Sequence, residues 1–133
     1  MTHPIALFER LRAAIKAGED PSPYFDPDFV IYQDAGMPYG GEFHGVEAYL
    51  KADRMVPDVF GPNCLQMLFQ CADASGEHAS MHLKLTGRPA GATEPVEGHI
   101  TVVWTFRNDL ALETRAYYYN TPRWREILAA NAR

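Results

Sequence analysis

The residues with the clearest capacity for chemistry lie in the stretch Phe29-Val-Ile-Tyr-Gln-Asp34. It reads as a short strand rich in β-branched and aromatic side chains, so Tyr32 and Asp34, two positions apart, share a face. If that face looks into an apolar interior, a carboxylate against aromatic walls becomes a base able to take a proton near neutral pH. The surrounding residues support a second meaning. Asp34 precedes Ala-Gly-Met-Pro-Tyr-Gly-Gly, and an aspartate at such a place can instead bind the backbone amides of a turn.

A broader set of side chains suits binding. Tyr32, Tyr39, Tyr49, Phe60, Trp104 and Tyr118, with Phe43 nearby, come from segments spread along the chain. Tyrosine and tryptophan need partners for their polar tips when buried, so such a set fits the wall of a ligand pocket better than a dry core. Asn120, at the end of a strand-like run, could orient a ligand or merely open the turn that follows. Gly40-Gly41 lacks the lysine and helix spacing of a phosphate loop. The expected occupant is a small hydrophobic molecule, carbonyl-bearing or aromatic, with no cofactor.

Histidines raise a metal question. In Val96–Arg107 the residues Ile100, Val102, Trp104 and Phe106 alternate with His99, Thr101, Val103 and Thr105, and the apolar set belongs with the core. Met81, Leu83 and Leu85 likewise leave His82 and Lys84 on the other side. Two histidines with Glu97 could ligate a metal. No ligand-spacing motif accompanies them, so no metal is expected.

These residues must be held by a small set of elements. Pro4–Ala17 reads as a helix, with Thr2 or His3 before it, Gly18 after it, and Ile5, Phe8, Leu11 and Ile15 as an apolar stripe. Pro21, Pro23 and Pro27 make a corner before the strand Phe29–Asp34. A glycine-rich loop from Gly36 to Gly45 leads to a helix over Val46–Val56, with Pro57 as its stop. Cys64–Ala72, His78–Gly87, Val96–Arg107 and Leu112–Asn120 then read as four strands of an antiparallel meander. A last helix starts at Thr121-Pro122 and runs to Asn131. Helices on one side of a mostly antiparallel sheet make an α+β fold.

The run Phe29-Val-Ile-Tyr-Gln-Asp-Ala-Gly-Met-Pro-Tyr-Gly-Gly-Glu-Phe-His-Gly-Val-Glu-Ala-Tyr49, with Ala13-Ala-Ile-Lys-Ala-Gly18 and the meander, resembles the SnoaL-like branch of the nuclear-transport-factor-2-like superfamily. The resemblance covers nearly the whole chain. It implies a cone-shaped curved sheet packed against N-terminal helices, a cystatin-like or SnoaL-like α+β barrel, with an internal apolar pocket and dimerisation through the sheet. In the ketosteroid isomerases of that superfamily the base is an aspartate at the end of this strand, which Asp34 matches. Their enolate is held by a tyrosine on the first helix and a protonated aspartate on the strand matching Val96–Arg107. Leu11 and Val102 stand at those positions, and neither donates a hydrogen bond. Steroid isomerisation is therefore not expected, and Tyr118 or Trp104 would have to act as donor. SnoaL-like cyclases use a histidine and an acidic residue on the last two strands, which points to His99 and Glu113, although the alternation turns His99 away from the core. The resemblance leaves two functions open. One is cofactor-independent isomerisation, cyclisation or dehydration with Asp34 as general base; the other is a non-catalytic ligand-binding or dimeric interaction domain.

The totals exclude other classes. One domain over residues 1–133 fits the length. A net charge of -5 with 22% charged residues argues against a nucleic-acid groove or an anionic membrane face. No run approaches the roughly 18 apolar residues of a membrane span, and no signal peptide precedes Glu9 and Arg10, so a cytoplasmic protein is expected. Cys64 and Cys71 would lie roughly 23 Å apart on one strand, too far to bridge.

Overall fold

The computed structural model of the chain describes residues 2–89 and 92–130. The expected end of the last helix at Asn131 lies outside them, as do residues 90 and 91 between the expected strands His78–Gly87 and Val96–Arg107. Helix α1 spans Pro4–Lys16, with the ring of His3 accepting the amide N–H of Ile5 and Pro4 in the first turn, where a missing N–H costs nothing. Its buried stripe is Leu7, Leu11 and Ala14, with Ile5, Phe8 and Ile15 on its flanks.

A short 3-10 turn, Ser22–Tyr24, leads into β1 (Phe25–Gln33). This strand starts four residues before the expected one. Pro27 is tolerated because the pairing of β1 with its parallel neighbour is irregular between Phe25 and Val30, the kind of place where a strand accepts proline. The loop expected from Gly36 to Gly45 contains a strand of its own, β2 (Gly41–His44), antiparallel to β1. Helix α2 (Val46–Phe60) continues past Pro57 for nearly another turn and ends at Gly61, whose φ is 98°. The expected stop at Pro57 is thus corrected. Proline removes one N–H, but Val56 and Phe60 are buried, and their packing carries the helix through.

The meander follows as β3 (Leu65–Ala72), β4 (His78–Gly87), β5 (Val96–Arg107) and β6 (Leu110–Tyr118), all antiparallel. The sheet order is β2-β1-β6-β5-β4-β3, with β1 parallel to β6. The sheet is mixed and open, with β2 and β3 at its edges, so it forms a cone and not a closed barrel. In β3 the register slips between Met67 and Phe69, a bulge that leaves Leu68 as the extra residue.

Two apolar clusters fill the concave face. One gathers Leu11, Phe29, Ile31, Tyr49, Met81 and Trp104, and the other Phe60, Leu85, Ile100, Tyr118 and Trp124. Trp124 comes from α3 (Thr121–Ala130) and meets Phe60 edge-on at 5.4 Å. Its indole lies where a side chain at Gly98 would be, so a glycine on β5 is what lets α3 close that end of the cone. Cys64 is buried, Cys71 exposed, and both are free thiols. No helix among the described residues is long and apolar enough to cross a membrane.

Candidate functional site

Between the helices and the sheet lies a cavity of about 360 Å³, within the range of small-molecule sites. The exposure of its lining gives it a direction. Trp104 and Met81 are 2% and 1% exposed, whereas Leu65 and Met67 on β3 are 42% and 40% exposed. The first pair sits at the floor and the second at the lip. Arg12 of α1 and Asp53 of α2, with side chains 38% and 32% exposed, also border the cavity and complete its mouth. Phe8, Val56, Leu83, Ile100, Val102 and Ala116 make the remaining wall largely apolar.

The polar groups fall into two sets. At the mouth, one guanidinium nitrogen of Arg12, Nη1, donates to the Tyr49 hydroxyl at 2.8 Å and forms an ion pair with Asp53 Oδ1 at 3.0 Å. Burial works against the charge on Arg12, but Tyr49 and Asp53 outweigh it and hold its pKa above the ordinary value. Burial also raises the Tyr49 hydroxyl, against the opposing pull of Arg12. Deeper in, the hydroxyls of Tyr118 and Tyr39 share a hydrogen bond of 2.5 Å. Burial pushes both above the ordinary tyrosine value, so both stay protonated at neutral pH. Gln33 and Thr114 also border the cavity. Gln33 Oε1 and Thr114 Oγ1 are buried with no hydrogen-bond partner among the described residues, a situation proteins seldom leave unresolved.

Of the residues expected from the sequence, Tyr49, Trp104 and Tyr118 line this cavity, while Tyr32, Asp34, Tyr39, Phe60, Asn120 and His99 do not. Phe29 and Ile31 are 1% and 2% exposed, so they own the inner face of β1 and turn Tyr32 outward, where the Arg115 guanidinium sits 4.0 Å above its ring. The carboxylate of Asp34 is taken at both oxygens: Oδ1 accepts the Gly36 amide at 2.9 Å and Oδ2 accepts the Thr121 hydroxyl at 2.5 Å. That is the turn-binding alternative, extended to the first residue of α3. Tyr39 is buried behind Tyr118, and Phe60 packs in the second cluster. Asn120 sits at φ 59°, and its carbonyl accepts the amides of Arg123 and Trp124, so it opens α3.

The outer face of the sheet follows the expected alternation. His99 is exposed opposite Lys84, and His82 stands opposite Thr101, stacked on Phe69 at 4.2 Å. Glu113 is bound to Arg115 at 2.7 Å. His82 and His99 are therefore diagonal to each other, and among the described residues no three potential metal ligands come together. Sequence reasoning missed Arg12, Asp53, Gln33 and Thr114. The spacing held a signal for two of them, since Phe8 and Arg12, and Tyr49 and Asp53, are each four apart and share a helix face.

No protein-family model matches the chain, and no curated protein sequence does either. Solved structures do. An NTF2-like protein of unknown function from Burkholderia pseudomallei aligns with a TM-score of 0.73 at 18% identity, over 96% of this chain and 98% of that one. TerC, co-crystallised with polyporic acid, aligns with a TM-score of 0.72 at 15% identity, over 96% and 99%. A candidate SnoaL-like polyketide cyclase from a Jannaschia species aligns with a TM-score of 0.70 at 14% identity, over 94% and 91%. The chain has the nuclear-transport-factor-2-like α+β cone fold, as its sequence motifs implied.

Proposed function

We propose that the chain binds a small, mostly apolar organic molecule in the cavity between α1, α2 and the concave face of the sheet. One observation carries this: an apolar-walled cavity of about 360 Å³ bordered by two residues, Gln33 and Thr114, whose buried oxygens lack partners. A dry core of this composition would have closed or satisfied them. Similarity to TerC, crystallised with polyporic acid, and to the candidate cyclase supports a small-molecule occupant.

A second reading is cofactor-independent isomerisation, cyclisation or dehydration in the same cavity. The Tyr39–Tyr118 pair favours it, because a protonated hydroxyl in apolar surroundings can donate to an oxygen that gains charge during reaction. In that reading Asp53 is the carboxylate at the cavity, since Asp34 is occupied elsewhere.

The test uses the neutral fluorescent probe N-phenyl-1-naphthylamine. One probe should bind per chain with enhanced emission, and Ala116→Phe, which fills the cavity from β6, should weaken binding at least tenfold. Outward-facing Val103→Phe should not. Equal binding by wild type and Ala116→Phe would refute the cavity as the site.

A further inference from the structure

The mouth of the cavity carries the feature that most narrows the ligand. Arg12 is the cation that borders the cavity among the described residues. Its hydrogen bond to Tyr49 leaves from Nη1, which is also the nitrogen nearest Asp53. The Nε–Nη2 edge, which presents two nearly parallel N–H groups, has no protein acceptor among the described residues. That edge has the geometry to take both oxygens of a carboxylate. Asp53 Oδ1 sits 3.0 Å from Nη1 and the Asp53 side chain is itself about one-third exposed, so it orients the guanidinium without covering it.

The rest of the cavity sorts the ligand's parts. Its floor at Met81, Ile100 and Trp104 is buried and apolar, and a charge placed there would lose its hydration without compensation. At the mouth an anion keeps part of its water and gains a charge-assisted pair. The molecule that fits is therefore amphiphilic, with an apolar body inward and an acidic group outward. Resting on the cavity reading above, we infer that the ligand is a hydrophobic organic acid whose carboxylate docks on Arg12 at the mouth.

Competition against bound N-phenyl-1-naphthylamine at neutral pH tests this with two probes of one shape, 2-naphthoate and 2-naphthamide. The carboxylate should compete at least tenfold better than the amide. Arg12→Met should abolish that preference, so that the two probes compete equally. Asp53→Asn removes a like charge beside the docking site and should strengthen 2-naphthoate several-fold relative to the amide. The opposite signs matter, because a pair that only staples α1 to α2 would make both variants weaken both probes alike. Equal competition by the two probes in wild type, or a preference that survives Arg12→Met, overturns the inference and leaves the cavity reading standing. If the fluorescent probe is insensitive to Ala116→Phe, the cavity reading fails instead.

Discussion

Asp34 shows how one carboxylate can be read in two ways and still have a single role in the fold. One oxygen closes the turn at Gly36, and the other reaches across to Thr121 at the start of α3, where the helix N-terminus favours negative charge. Removing it should therefore loosen the fold without touching binding. Asp34→Ala is expected to cost about 1–2 kcal/mol, the usual range for a lost cap, read as a lower urea midpoint. The affinity for N-phenyl-1-naphthylamine should stay within twofold of wild type, and a tenfold loss would return Asp34 to the site. Tyr32 lies outside the cavity for a related reason. Val30 and Tyr32 are as apolar as Phe29 and Ile31, so the strand offered two faces of similar character. Only the packing of Phe29 against Trp104, rings stacked at 6.0 Å, decided between them.

Among the elements, the turn joining β3 to β4 carries a pH dependence whose sign can be worked out. Asp73 accepts the Ser75 hydroxyl at 2.7 Å and sits 2.6 Å from the His78 ring. The Ser75 bond, then the His78 bond, hold its pKa well below the ordinary value of 3.8. A carboxylate depressed in the folded state stabilises it above the unfolded value, and that contribution fades as pH falls below about 4. The urea midpoint should therefore fall between pH 4 and 2, and less steeply in Asp73→Asn than in wild type. Equal slopes would show that Asp73 contributes nothing to the acid limb. The element boundaries divide along similar physical lines. The spans of β4 and β5 were legible to the residue because strict alternation coincides there with burial on one face. The four residues of β2 were not, since glycines at its start and just beyond it mimic loop composition. Nor was the last turn of α2, where tertiary packing overrides a proline.

For the whole molecule, the convex face of the sheet is the counterpart of the cavity. Phe69 and Tyr117 are each 55% exposed there. Together with the Phe69–His82 stack they give this face an apolar character that a lone chain would leave wet. We propose that two copies of the chain pair through it. Sedimentation should then give twice the chain mass at micromolar concentration, and Phe69→Glu with Tyr117→Glu should reduce it to the single mass. A wild-type protein that sediments as one chain at all concentrations would exclude the pairing. The cone was readable from the order of elements and from the loop motif. The chemistry of its mouth was not, because Arg12, Asp53 and Tyr49 meet only when α1 and α2 cross the open side of the sheet.

The bulge at Leu68 has a bearing on how this chain can change over time. Met67 faces the cavity lip and Phe69 stacks on His82 on the convex side, although two positions apart would ordinarily put them on one face. The bulge absorbs the additional residue, so the side chains before and after it keep the faces they would have without it. Losing Leu68 would restore plain alternation, with Met67 still inward and Phe69 still outward. A single-codon deletion is therefore tolerable here. A deletion inside a regularly paired stretch of β4 or β5 would instead exchange the two faces beyond it and expose the core.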